Sequence, residues 1–208
     1  MNDLQKIHQK IRLDVKRRKE EFQENWNRDS MIQALLYFSL CTPQSSATRS
    51  WNALNEFLPR VSILTESQIA EILGRHGVRF KYNKARYIIE CREKFKTISL
   101  RSYIDDLLTQ GVVSARNELA KTIRGIGMKE ASHFLRNIGY GDEVCILDRH
   151  ILRNLEKYDI LKTSKTLTPK LYLEYEEKMK TFAKKLKIPV FDLDFVFWYN
   201  NNGELPVY

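Results

Sequence analysis

The chain has 208 residues, 43% of them hydrophobic and 29% charged, which is the balance of a globular protein rather than a disordered one. Lys and Arg number 35 against 26 Asp and Glu, and the formal charge of +9 suits a polyanionic partner, because basic side chains that neutralise phosphates release condensed counterions. No apolar run approaches the roughly 18 residues needed to cross a bilayer, and the N-terminus lacks a signal-peptide core; no membrane partner is expected, and an intracellular location in cytoplasm or nucleoid is.

Helical periodicity runs through the chain. Leu4, Ile7, Ile11 and Val15 recur at helical spacing with basic residues between them, predicting an amphipathic first helix. A second apolar stretch, Met31 to Cys41, should stop at Thr42-Pro43, since proline cannot continue a helix interior. Ser45 or Ser46 can cap the next helix, which carries Trp51, Leu54, Phe57 and Leu58 before Pro59. Further helices are predicted over 66–74, 83–96, 101–109, 115–123, 128–139, 149–157, 169–185 and 191–200. Alternating runs with hairpin turns are missing, so the fold class is all-α. Cys41, Cys91 and Cys145 are widely separated and form no C-x-x-C pair, and His8, His76, His133 and His150 lack ligand spacing; no metal site is expected.

The stretch from Leu119 to Leu152 carries the chemistry. Two predicted helices flank Gly125-Ile126-Gly127, where glycines on either side of one apolar residue permit a tight hairpin and the close approach of another backbone. The amides that open the second helix are then free to bind an anion, a DNA phosphate being the obvious one. Lys129 stands in the first turn of that helix near Arg124, where the positive end of the dipole disfavours a cation, and an amine nucleophile attacks only in its neutral form. A surface lysine at a helix start would look the same. The apolar run Val144-Cys145-Ile146-Leu147 then leads into Asp148, at an N-cap position before Arg149-His150-Ile151-Leu152. Capping alone would explain that aspartate.

Taken together, Ile123-Arg-Gly-Ile-Gly-Met-Lys129 and Asp148 after its apolar run resemble the helix–hairpin–helix DNA glycosylases, and KEASHFLRNIGYGDEVCILDRHIL is similar to the archaeal-type 8-oxoguanine DNA glycosylases. The resemblance implies two helical lobes with the active site in the cleft between them: a barrel over 31–139 ending in the hairpin, and a second domain of 1–30 plus 140–208. It implies removal of 8-oxoguanine and then β-elimination, with Lys129 attacking C1′ and Asp148 as its carboxylate partner. Gly125, Ile126, Gly127, Gln44 and Arg149 would touch DNA, with Gln44 filling the gap left by the flipped base. Phe80, Asp194, Trp198 and the terminal carboxylate of Tyr208 would form the base pocket, although family members often end in lysine. The partner is duplex DNA with a damaged base, and a monomer is expected. No cofactor is implied except a structural monovalent cation at the hairpin; the iron–sulfur cluster of endonuclease III and adenine glycosylases has no cysteines after Cys145 to hold it. The same chemistry on another oxidised base, as in endonuclease III, and a non-catalytic hairpin module that only binds DNA are the alternatives. The run Arg79 to Lys96, with seven Lys and Arg against two Glu and with Phe80 and Tyr82 among them, would suit a DNA backbone or a solvated helix face.

Overall fold

A computed structural model describes residues 3–164 and 166–205, and among these there are helices and turns but no strand. The first helix, α1 (Asp3–Asn25), buries Leu4, Ile11, Val15 and Phe22 along one stripe and leaves its basic residues outward. In α2 (Asp29–Cys41) nearly every residue from Ala34 onward is buried, the pattern of a helix surrounded by others. It ends where Pro43 forbids continuation. Ser46 then caps α3 (Ala47–Phe57) by accepting from the Arg49 amide at 3.2 Å. A capping box between Thr65 and Gln68 opens α4 (Glu66–Arg75), the Thr65 amide donating to Gln68 Oε1 at 2.9 Å.

The remaining helices are α5 (Lys81–Lys94), α6 (Leu100–Leu108), α7 (Val112–Thr122), α8 (Met128–Asn137), α9 (Arg149–Lys157), α10 (Pro169–Leu186) and α11 (Val190–Asn202). The predicted helices lie within a few residues of these. The largest difference at a start is α7, which begins at Val112 rather than at residue 115 because Gly111, at φ +90°, lets the chain turn into a helix there.

Buried apolar side chains fall into two clusters. The first draws on α2 to α8, from Ile32 to Ile138, with Phe38, Phe57, Ile88, Leu119 and Phe134 at its centre. The second gathers the inner stripe of α1 with Cys145, Leu147, α9, α10 and α11. Two elements meet at the boundary: α8, whose Ala131, Phe134 and Leu135 pack into the first cluster while Met128 leans on the second, and the extended run 144–147, whose Cys145 and Leu147 belong to the second.

Candidate active site

The turn between α7 and α8 is held from beneath. Ile123 leaves the helix, the Ile126 amide donates to the Ile123 carbonyl at 3.1 Å, and the Ile126 side chain is buried in the first cluster, pinning the turn to the core. Gly125 has φ +91°, and a Cβ added there would lie 2.3 Å from Cδ2 of Tyr87 on α5. No side chain can occupy that position while the tyrosine ring stays where it is. Arg124 lies over the same ring at 5.3 Å and pairs with Glu90 at 3.0 Å, so it turns toward α5 rather than toward Lys129 as its sequence position suggested. Gly127 is the N-cap of α8 and has no side chain to cap with, so the first-turn amides of α8 are not satisfied by a capping side chain.

Lys129 stands in that first turn with its side chain 28% exposed and Nζ 3.5 Å from Oε1 of Glu130. Asp148 arrives at the end of the buried run 144–147, where its amide closes a tight turn onto the Ile146 carbonyl at 2.8 Å. Its carboxylate does cap α9: the amides of His150 and Ile151 both donate at 2.8 Å, and both to Oδ1. The cap thus engages one carboxylate oxygen and leaves Oδ2 over.

Asp194 on α11 lies within the field of these charges. Burial pushes its carboxyl up to about 6; the Arg136 guanidinium, with which it pairs, opposes the shift, the charge of Asp148 adds to it, and that of Lys129 opposes it. Lys129, Asp148, Arg136 and Asp194 thus share one electrostatic neighbourhood. Arg136 is fixed further by the rings of Phe22 at 5.5 Å and Phe195 at 5.4 Å. Burial, with the charges of Arg136 and Lys129, holds His133 well below the usual imidazole range, so it stays neutral. Trp198 shares a face of α11 with Asp194 and packs its ring 5.4 Å from that of His150, beside the Asp148 cap. Arg149 is exposed at the start of α9.

Gln44 and Phe80 lie together on the α2–α5 side. Gln44 is exposed and left-handed, at φ +54°, as is Phe80 at φ +58°, where 51% of the phenylalanine remains in solvent under the Arg79 guanidinium. Ser45 Oγ accepts from the Arg79 amide at 3.0 Å and so ties the two loops. Non-glycine residues kept in this region of backbone space store strain, which is common at sites that present a side chain. Lys84 holds the Gln44 loop from inside, donating to the carbonyls of Cys41 at 2.6 Å and Pro43 at 2.7 Å and to Ser45 Oγ at 3.0 Å. Burial pushes its amine down to about 8, and the charges of Glu130 and Lys129 are near enough to act on it. Tyr208 lies outside the described residues.

Sequence reasoning missed Lys84, Glu130, Arg136 and His150. Lys84 and Arg92 turn inward out of the basic run 79–96, Arg92 donating to the carbonyls of Val61 and Leu64 at 2.8 Å each, so that run is partly structural. Arg136 breaks an otherwise apolar stretch of α8, but nothing local points to its partner on α11. Among the described residues, no group of three or more His, Cys, Asp or Glu side chains is gathered to hold a metal, and the three cysteines are free and buried.

The geometry has close counterparts. A family model described as 8-oxoguanine DNA glycosylase matches residues 15–188. The 8-oxoguanine DNA glycosylase/AP lyase of Fusobacterium nucleatum is 39% identical over 211 residues, covering 97% of this chain and 95% of the relative. The protein of the same name from Saccharolobus solfataricus is 35% identical over 94% of this chain and 95% of its own. Among solved structures, the 8-oxoguanine DNA glycosylase of Thermotoga maritima superposes with a TM-score of 0.86 at 28% identity, over 99% of this chain and 97% of that one. The 8-oxoguanine glycosylase/lyase of Methanocaldococcus jannaschii, in complex with a 15mer DNA containing 8-oxoguanine, superposes at 0.85 with 29% identity, over 98% of this chain and 99% of that one.

Proposed function

Given that the chain belongs to the 8-oxoguanine DNA glycosylase family, we propose that it excises 8-oxoguanine from duplex DNA and then cleaves the strand as an AP lyase, with Lys129 as nucleophile and Asp148 as its carboxylate partner. One observation carries the assignment of residues. Lys129 and Asp148 stand on the two elements that meet at the boundary between the clusters, α8 and the end of the run 144–147, with Oδ2 of Asp148 left over from its cap and both charges near Asp194.

The target base must leave the stack before C1′ can be reached. The first-turn amides of α8 and the hairpin glycines then take a backbone phosphate, and the basic surface supplies the rest of the attraction. The neutral Lys129 amine attacks C1′ as the glycosidic bond breaks, and the base departs with its bonding electrons and takes up a proton. Asp148 Oδ2, unengaged by the cap, faces the positive charge that develops on the sugar and accepts the proton that the new C–N bond releases. Ring opening leaves a Schiff base between Lys129 and C1′. Loss of the C2′ proton then expels the 3′ phosphate.

The lesion differs from guanine by a proton on N7, so a pocket acceptor aimed there discriminates the two. Asp194 and Trp198, beside the Asp148 cap, are the pocket residues this reading uses, with Phe80 and Gln44 on the facing loops and Arg149 on the backbone. We assign 31–139 to a barrel lobe and the remainder to a second, with DNA in the cleft between them and one copy of the chain sufficing. The chemistry is carried by an amine and a carboxylate. A structural monovalent cation would draw on backbone carbonyl oxygens of the hairpin. No helix among the described residues is long and apolar enough to cross a membrane.

Borohydride trapping on an 8-oxoguanine duplex tests this. A covalent adduct should form with the native protein and vanish in Lys129→Gln, with DNA affinity retained. Native protein that binds but gives no adduct would refute the lyase assignment, and faster trapping on oxidised-pyrimidine duplexes would move the substrate to another lesion.

A further inference from the structure

Among the described residues the run that delivers Asp148 has no sheet partner; its backbone is gripped by side chains of α10 instead. The Cys145 amide donates to Glu176 Oε1 at 2.7 Å, and the Cys145 carbonyl accepts from Tyr172 Oη at 2.6 Å. Two residues on, the Leu147 amide donates to the same Tyr172 oxygen at 3.3 Å. Tyr172 Oη also lies 3.3 Å from Ser132 Oγ, and Ser132 is on α8 one turn below Lys129. A phenol has a single proton, and a carbonyl can only accept; the proton therefore goes to Cys145, and the serine hydroxyl is the donor between the two. Arg116 closes the set, donating to Ser132 Oγ at 3.2 Å and to both oxygens of Glu176 at 3.2 and 2.8 Å. The whole arrangement is out of solvent: Arg116, Ser132, Tyr172 and Glu176 are each no more than 2% exposed.

One oxygen atom thus touches both elements that carry the proposed active residues: the extended run ending at Asp148 and the helix bearing Lys129. We propose that the Tyr172 hydroxyl is a positioning residue for base excision, setting the distance between the Asp148 carboxylate and the Lys129 amine. This rests on the assignment of that pair above. The mechanism is geometric: losing the hydroxyl frees the Cys145 carbonyl and the Leu147 amide together, and the carboxylate that follows them drifts relative to α8. Attack at C1′ is sensitive to such drift, since reactive alignment is lost over distances well under 1 Å.

Tyr172→Phe keeps the ring, over which Arg116 sits at 5.3 Å, and removes only the hydroxyl. Single-turnover excision of 8-oxoguanine should fall roughly tenfold, the scale of one buried hydrogen bond lost from the transition state. Duplex affinity should stay within about twofold. Strand cleavage at a preformed abasic site needs no base to be expelled and should slow less. The decisive comparison is with Asp148→Asn: in the double variant Asp148→Asn/Tyr172→Phe, excision should be no slower than in Asp148→Asn alone, because the hydroxyl acts through that carboxylate. Ser132→Ala, which cuts the same link from the α8 side, should repeat the selective loss of excision and serves if Tyr172→Phe folds poorly. Multiplying losses in the double variant, or equal losses of affinity and excision in the single ones, would overturn the positioning role. So would a Tyr172→Phe enzyme at native rate beside a slow Asp148→Asn. If Asp148→Asn itself excises at the native rate, the assignment of the catalytic pair falls, and the positioning role with it.

Discussion

The two hairpin glycines should fail in different ways when each is given a methyl group. In Gly125→Ala the new Cβ meets the Tyr87 ring, with atoms at 2.3, 2.9 and 3.0 Å, and the backbone sits at φ +91°. A non-glycine residue held in such a conformation costs about 1–3 kcal/mol, and forcing extra volume against a packed ring costs about 1–3 kcal/mol more. The sum, about 2–6 kcal/mol, corresponds to a melting temperature lowered by roughly 4–24 °C in a chain of this size. Gly127 is different: its φ of −96° is open to any residue, and an added Cβ would meet only Glu130 Oε2 at 3.1 Å, the movable end of a side chain. Gly127→Ala also restricts the unfolded chain, worth about 0.4–1 kcal/mol in favour of folding. It should therefore melt at or slightly above the native temperature. Its cost should appear on DNA instead, because on the proposed reading the methyl group would stand where a phosphate approaches the first-turn amides. Calorimetric melting together with fluorescence anisotropy at one fixed salt concentration separates the two effects. Equal melting temperatures for both variants, or a Gly127→Ala protein that loses stability and keeps its DNA affinity, would refute the division of labour.

The Asp194 carboxyl should titrate near 6, with signs set by its neighbours: Asp148→Asn removes a like charge and lowers it, Arg136→Met removes the counter-charge and raises it, and carbon-detected NMR titration reads both. Because its folded value exceeds the ordinary 3.8, the folded state keeps that proton longer, and the contribution of Asp194 to stability declines as pH rises between those values. Lys84 runs the other way: its folded value of about 8 lies below the ordinary 10.5, so its contribution grows as pH rises through that window. The unfolding free energy of the native protein, from urea titration, should accordingly gain on that of Lys84→Met by up to about 3 kcal/mol across it. Arg116→Met leaves the buried Glu176 carboxylate with the more distant Lys180 ammonium, at 3.9 Å, in place of its close partner and should cost about 3–5 kcal/mol; Arg116→Met/Glu176→Gln should recover part of that by keeping an acceptor for the Cys145 amide, as denaturant titration would show. Phe80→Gly relieves the left-handed strain at φ +58° and should leave the melting temperature nearly unchanged while excision falls.

The helices were legible because their signals are local. Ser46, Thr65, Ser99 and Thr168 each cap the helix that follows, and Pro43 and Pro169 bound helices where a missing amide costs least. The hairpin and its lysine were legible for the same reason, since glycine spacing and position in a helical turn are read from adjacent residues. Partners distant in sequence were not. Arg116 and Glu176 each sit in charged, helical surroundings that look like solvated faces, and only the packing of α7 on α8 and the placement of α10 buries both. Lys84 is hidden in the same way: within Lys81 to Arg86 it is one more basic residue, and its three acceptors belong to the end of another helix. From sequence alone Asp148 fits either a cap or a catalytic group; the cap is present in the structure and uses a single oxygen.

The Arg116–Glu176 pair bears on how the protein meets its substrate. It joins α7, which packs in the first cluster, to α10, which belongs to the second, and both charges are out of water. Prising the clusters apart would expose or separate these charges, at the several kcal/mol that breaking a desolvated pair costs. On the proposed two-lobe reading the cleft would then be a rigid mould rather than a jaw, and shape change on binding would fall to the duplex, which would kink to offer an extruded nucleotide. Base pairs flanking a lesion would then tune excision through their flexibility, stiff tracts resisting the kink and pyrimidine–purine steps easing it, with no side chain reading their identity.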